Sequence, residues 1–154
     1  PLRLWINQGE GSFSEEGQPR GFADRGQGRG LVSFDYDRDG DLDVFVANHA
    51  GRPVLLRNEG GNHLPWLVVE VEGTQSNRDG RGAEVRVQVS PEGPIQIRQI
   101  GVGGFLAETE LGAHFGLGAG VTSVHEVRVR WPASGQEQVF TEVAINQRML
   151  ALEP

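Results

Sequence analysis

Apolar and polar residues alternate along most of this chain. Val85, Val87 and Val89 interleave with Glu84, Arg86 and Gln88. The same period of two runs through Ile95-Gln96-Ile97-Arg98-Gln99-Ile100 and Val127-Arg128-Val129-Arg130-Trp131. A two-residue period with β-branched enrichment predicts half-buried strands, because successive side chains on a strand leave from opposite faces. Turn-forming clusters separate the strands: Asn58-Glu59-Gly60-Gly61, Asn77-Arg78-Asp79-Gly80, Ser90-Pro91-Glu92-Gly93-Pro94 and Pro132-Ala133-Ser134-Gly135. Short strands so punctuated predict an all-β sandwich, barrel or propeller. Glu108 to Leu111 is the one stretch expected to make a single helical turn.

A weak repeat organises the first part. Leu4-Trp5-Ile6-Asn7-Gln8-Gly9-Glu10-Gly11 echoes Leu55-Leu56-Arg57-Asn58-Glu59-Gly60-Gly61-Asn62, 51 positions later. Each is a short apolar strand running into Asn-x-Gly turn chemistry, and the offset suits one propeller blade. The chain is therefore expected to open on the end of one blade and to continue with a nearly complete second blade. From Leu64 onward the strands are longer and valine-rich. The expected division is residues 1–63 and 64–154, with the boundary near 63–66.

Composition narrows the function classes. The net charge is −7, with Arg supplying all 14 basic charges. That balance argues against a nucleic-acid partner, which calls for a basic patch. No apolar run approaches the ~18 residues of a membrane-spanning helix. There is no Cys, which excludes disulfides, thiolate catalysis and cysteine-ligated metals. Pro1-Leu2-Arg3-Leu4-Trp5-Ile6 has no signal-peptide pattern, as in a mature or trimmed product.

The chemistry concentrates in Asp35-Tyr36-Asp37-Arg38-Asp39-Gly40-Asp41-Leu42-Asp43, which holds five of the chain's seven Asp. Carboxylates this crowded repel one another unless a cation neutralises them. Calcium takes six to eight oxygens and suits a loop offering carboxylates at positions 1, 3 and 5, here Asp35, Asp37 and Asp39. Gly40, at position 6, permits the sharp turn. Asp41 is expected to give its backbone carbonyl and Asp43 to close the shell. An EF-hand has a Glu at position 12 and helical flanks. Here position 12 is Val46 and the flanks read as strands, so the loop is expected in a β-hairpin. Magnesium, with its strict octahedron and retained waters, fits less well.

Asp35 to Asn48 resembles an FG-GAP or VCBS repeat of integrin-type β-propellers, and Leu4 to Phe13 is similar to the strand-turn ending of such repeats. Beyond Asn62, Asn62-His63-Leu64-Pro65-Trp66-Leu67, Ser76 to Ala83, Gly103-Gly104-Phe105, His114-Phe115-Gly116-Leu117-Gly118 and Val127 to Gly135 resemble the ASPIC/UnbV domain. The pairing resembles that of the cartilage acidic protein-like family, bacterial type. The resemblance implies a partial β-propeller followed by a β-sandwich-like domain. It also implies a secreted or cell-surface protein that binds calcium and has no enzymatic reaction. Such relatives carry several repeats, whereas this chain holds about one and a third. Either it is the C-terminal piece of a longer protein, or strands from elsewhere complete the blade.

The expected function is thus a calcium-binding, non-catalytic structural or adhesion module. One alternative is a matrix or filament subunit joined to copies of itself or to other extracellular proteins through open β edges, since unpaired strands readily pair. The other is a carbohydrate-binding module using Trp5, Trp66 or Trp131, although each is read first as core. No nucleophile with a base can be assembled from the sequence. His114 is read as a structural imidazole bonded to nearby backbone. Arg86, Arg98, Arg128 and Arg130 are expected on outer strand faces, either solvated or paired with Glu70, Glu72 and Glu84.

Overall fold

The computed structural model describes residues 2–104 and 106–154. Pro1 and Phe105, the latter part of the Gly103-Gly104-Phe105 motif, lie outside the described residues. Among the described residues every regular element is a strand, and none of the sheets closes on itself. Glu108 to Leu111 runs as irregular chain, not as the helical turn expected of it.

The N-terminal part holds two small antiparallel sheets. Strands β1 (Trp5–Gly9) and β2 (Ser12–Glu15) form a hairpin. Strands β3 (Gly28–Phe34), β4 (Asp43–Asn48) and β5 (Val54–Leu56) form a three-stranded sheet in sequence order. The acidic loop joins β3 to β4, with Phe34 paired to Asp43, so it does lie in a β-hairpin.

The C-terminal part packs two sheets face to face. One has the order β11-β10-β7-β8, built from β7 (Glu84–Gln88), β8 (Ile95–Gln99), β10 (Ser123–Arg130) and β11 (Glu137–Ala144). The other has the order β12-β6-β9, built from β6 (Trp66–Glu72), β9 (Ala113–Gly116) and β12 (Gln147–Leu152), with β12 parallel to β6. The core lies between them. Leu67, Val69, Val71, Ala113, Phe115 and Ala151 from one sheet meet Val85, Val87, Val124, Val127 and Val129 from the other, with Trp131 at the end of β10. The alternation seen in the sequence is what puts these residues inward and Glu84, Arg86 and Gln88 outward.

Two expectations need correction. Of the tryptophans only Trp131 is fully buried, whereas Trp5 is 55% exposed and Trp66 is half-buried. The reason is that β1 lies in a two-stranded hairpin too small to cover an indole, and Trp66 faces away from the sandwich core. Arg98 is exposed to solvent, as expected, but on the core-facing side of its strand and not on the outer face. In register it shares the core-facing side with Val85, and its guanidinium lies 5.3 Å from the centre of the Phe115 ring. β8 is an edge strand at the margin of the sandwich, where a cation over an aromatic face serves as well as an aliphatic chain. Ile95 and Ile97 consequently point outward, half exposed. Of the outer arginines, Arg86 pairs with Glu84 as expected, whereas Arg128 pairs with Glu126 and Glu137.

The C-terminus is fixed by one carboxylate. Glu153 Oε2 accepts the backbone N–H groups of Thr74, Gln75 and Ser76, and Oε1 accepts the Ser76 and Ser134 hydroxyls. Desolvation favours the neutral acid, but the bonds from Ser76, Gln75 and Thr74 outweigh it and hold the pKa down at about 2.

Candidate metal centre

Backbone geometry comes first. Arg38 and Gly40 both adopt positive φ, at 61° and 99°, which curls the chain between β3 and β4 back on itself. The curl lets the Asp35 carboxylate reach along the loop, where Oδ1 accepts the Asp39 N–H at 3.1 Å and Oδ2 accepts the Gly40 N–H at 3.3 Å.

The loop brings one carboxylate oxygen from each of Asp35, Asp37 and Asp39 within 4.8 Å of one another. Oxygens at about 2.3–2.6 Å from a shared calcium ion are at most about 5 Å apart. The donor set is all oxygen and anionic, the type that hard divalent cations take. Asp35 is buried, Asp39 half-buried and Asp37 exposed, so the trio opens to solvent on one side. The residues therefore fit a hard cation.

Asp41 and Asp43 do different work in this arrangement. Asp43 is buried, and its two oxygens accept the N–H groups of Asn58 at 2.8 Å and Tyr36 at 2.9 Å. Asp41 Oδ2 accepts the N–H groups of Gly61 and Asn62. Both carboxylates staple the loop to the 57–62 turn, as charge-assisted bonds to backbone do well. Asp41 Oδ1 and Asn62 Oδ1 are buried with no hydrogen-bond donor. Burial pushes the Asp41 carboxyl above its usual range, only partly opposed by the Asn62 and Gly61 N–H bonds, while Asp39 and Asp43 add repulsion. Asp39 moves the other way, held low by the Asp41 N–H against its own desolvation and helped by the Asn62 side chain.

Two arginines partly balance the charge. Arg57 Nε lies 2.8 Å from Asp37 Oδ2 and 3.2 Å from Glu59 Oε1. Arg148 Nη1 lies 4.0 Å from Asp35 Oδ2, while the same side chain holds Glu70 and Glu110. His114 Nε2 donates to the Gly40 carbonyl at 2.9 Å, which makes it the protonated ring nitrogen. The expected role of His114 as a backbone-bonded imidazole matches this contact. Its ring stacks on Trp66, whose indole lies against Gly40 so closely that a Cβ there would overlap it. Sequence spacing gave no sign of Arg57, Asn62, Trp66 or Arg148. Of these, only Arg57 and Asn62 lie near enough in the chain for the repeat's Asn-x-Gly ending to have marked their region.

Comparison with known proteins finds both families in the chain. Residues 73–154, just over half of the chain, match the family model described as ASPIC and UnbV. Residues 1–46 match that of the FG-GAP-like repeat. The chain is similar to cartilage acidic protein 1 of Homo sapiens, 37% identical over 111 residues, which is 70% of this chain and 16% of that protein. The Mus musculus protein is also 37% identical over 111 residues, with 17% of its length covered. The Xenopus tropicalis protein is 33% identical over 111 residues, with 16% of its length covered. The chain thus spans about a sixth of the curated relatives it matches.

Proposed function

The chain belongs to the ASPIC and UnbV family, with an FG-GAP-like repeat ahead of that domain, and from that premise we propose that it is a calcium-binding, non-catalytic module of an extracellular or cell-surface protein. The observation that carries this is the convergence of the Asp35, Asp37 and Asp39 oxygens within 4.8 Å on a glycine-turned hairpin. Calcium is favoured over magnesium because the loop offers several anionic oxygens and an open side, which a flexible shell of six to eight ligands accommodates. Extracellular calcium modules have dissociation constants of ~10⁻⁴–10⁻³ M, so such sites are occupied only where calcium is abundant. The name of the relatives, which places them in cartilage, supports the same setting. In this reading no group is catalytic, and His114 spends its Nε2 on the Gly40 backbone.

The test is thermal. Calcium at a hundredfold excess over its dissociation constant adds about 2.7 kcal/mol to stability. For a chain of this size that raises Tm by about 5–10 °C. Chelator is expected to remove the rise, and Asp37→Asn with Asp39→Asn to abolish it. An unchanged melt with no metal by elemental analysis refutes the reading. A second reading, assembly with other copies, is favoured by the blade sheet, where Leu31 and Leu55 are exposed on opposite faces.

A further inference from the structure

The acidic loop rests on the outer face of the β12-β6-β9 sheet. Register puts Arg148, Val68 and His114 in one row across the three strands, and Trp66 and Glu70 flank Val68 along β6. Val68 is fully buried, yet it belongs to the opposite side from the core residues Leu67 and Val69. The row meets the loop at two points. His114 holds the Gly40 carbonyl, and Arg148 stands 4.0 Å from Asp35. Trp66 fills the space beside Gly40 that a side chain would need.

Gly40 sits between Asp39 and Asp41, and its N–H is held by Asp35. Its peptide units therefore set where the Asp35 and Asp39 oxygens stand relative to each other. A donor fixed on a rigid sheet orders that turn before any cation arrives, which lowers the ordering cost of binding.

We propose that Trp66 and His114 of the C-terminal domain are positioning residues for the cation site, so that cation binding by the loop and docking of the loop on this sheet are one linked equilibrium. The inference rests on the calcium reading above and adds a reciprocal consequence. Whatever affinity the docked sheet contributes to the loop, the cation returns as stabilisation of the docking.

Two measurements on the full chain test it. Calcium titration by calorimetry is expected to show His114→Ala weakened by about 3- to 10-fold, the worth of one hydrogen bond. His114→Gln, which keeps a donor, is expected to recover most of the loss. Hydrogen exchange on the unmodified chain, with and without calcium, is expected to show added protection in 66–69 and 113–116 as well as in 35–43. Equal affinities in a folded His114→Ala chain, or protection confined to 35–43, overturn the linkage and leave the calcium reading standing. A chain that binds no calcium at all overturns both.

Discussion

Asp37 is the most exposed of the three converging carboxylates, and in this structure its partner is the Arg57 guanidinium. A cation entering the loop must displace or outcompete that group. Removing Arg57 therefore has the opposite sign to removing Asp37. Arg57→Gln is expected to tighten calcium binding by about 2- to 5-fold, modest because the pair is solvent-exposed and worth at most ~1 kcal/mol. Asp37→Asn is expected to weaken it. Calorimetric titration at two salt concentrations checks both, and the Arg57 effect should shrink as salt rises. Looser binding by Arg57→Gln would mean that the arginine orders the loop and does not compete with the ion. At this scale the sequence was informative where chemistry is local. Five aspartates in nine residues, with Gly40 among them, announce an oxygen-lined turn. The partners His114 and Arg148 lie 74 or more positions from the loop residues they touch and arrive there through strand register, which no spacing rule conveys.

Strands were legible because period two is written directly into a half-buried sheet. β7 obeys it with Val85 and Val87 inside, and β10 with Val127 and Val129. β8 has the same period with the reverse outcome, since its isoleucines face solvent while Gln96 and Arg98 share the inner side. Alternation tells that a strand has two faces; the neighbouring strand decides which is covered. At the edge of this sandwich, Gln96 bonds the Gly116 carbonyl of the facing sheet and Arg98 covers Phe115, so polar side chains link the two layers. The end of β12 is also fastened by a polar group. Glu153 has a folded pKa of about 2 against an ordinary value of 4.5. A depressed carboxyl pKa gives stability that is fully present above the unfolded value and is lost as pH falls through the folded one. The expected outcome is a Tm that declines from about pH 4.5 toward pH 2. Glu153→Gln should be less stable at pH 7, and its gap from the parent chain should narrow across that window. Melts at half-unit pH intervals check it, and a gap constant with pH would show that the cage does not select the charged form.

The two halves of the molecule are unequally supported. The clustered core belongs entirely to the C-terminal sandwich, and among the described residues Val46 is the one buried apolar side chain ahead of Leu67. The β3-β4-β5 sheet carries Leu31, Val46 and Val54 on one face and Val32, Phe45 and Leu55 on the other. A sheet apolar on both faces is built to lie between two layers, as central layers of larger folds do. Here Leu31 and Leu55 stay about half exposed, and Trp5 and Phe13 are exposed on the β1-β2 hairpin. β3 and β5 are also edges with unpaired backbone groups, which invite strand addition. Association with further copies would cover these faces, and the −7 net charge would oppose it until calcium reduces the repulsion. Light scattering is therefore expected to show oligomers that grow with protein concentration and with calcium. Leu31→Glu combined with Leu55→Glu is expected to return the chain to a monomer with the sandwich intact by circular dichroism. A parent chain that stays monomeric across concentrations, with calcium and without it, would mean that the blade's apolar faces are not covered by its own copies.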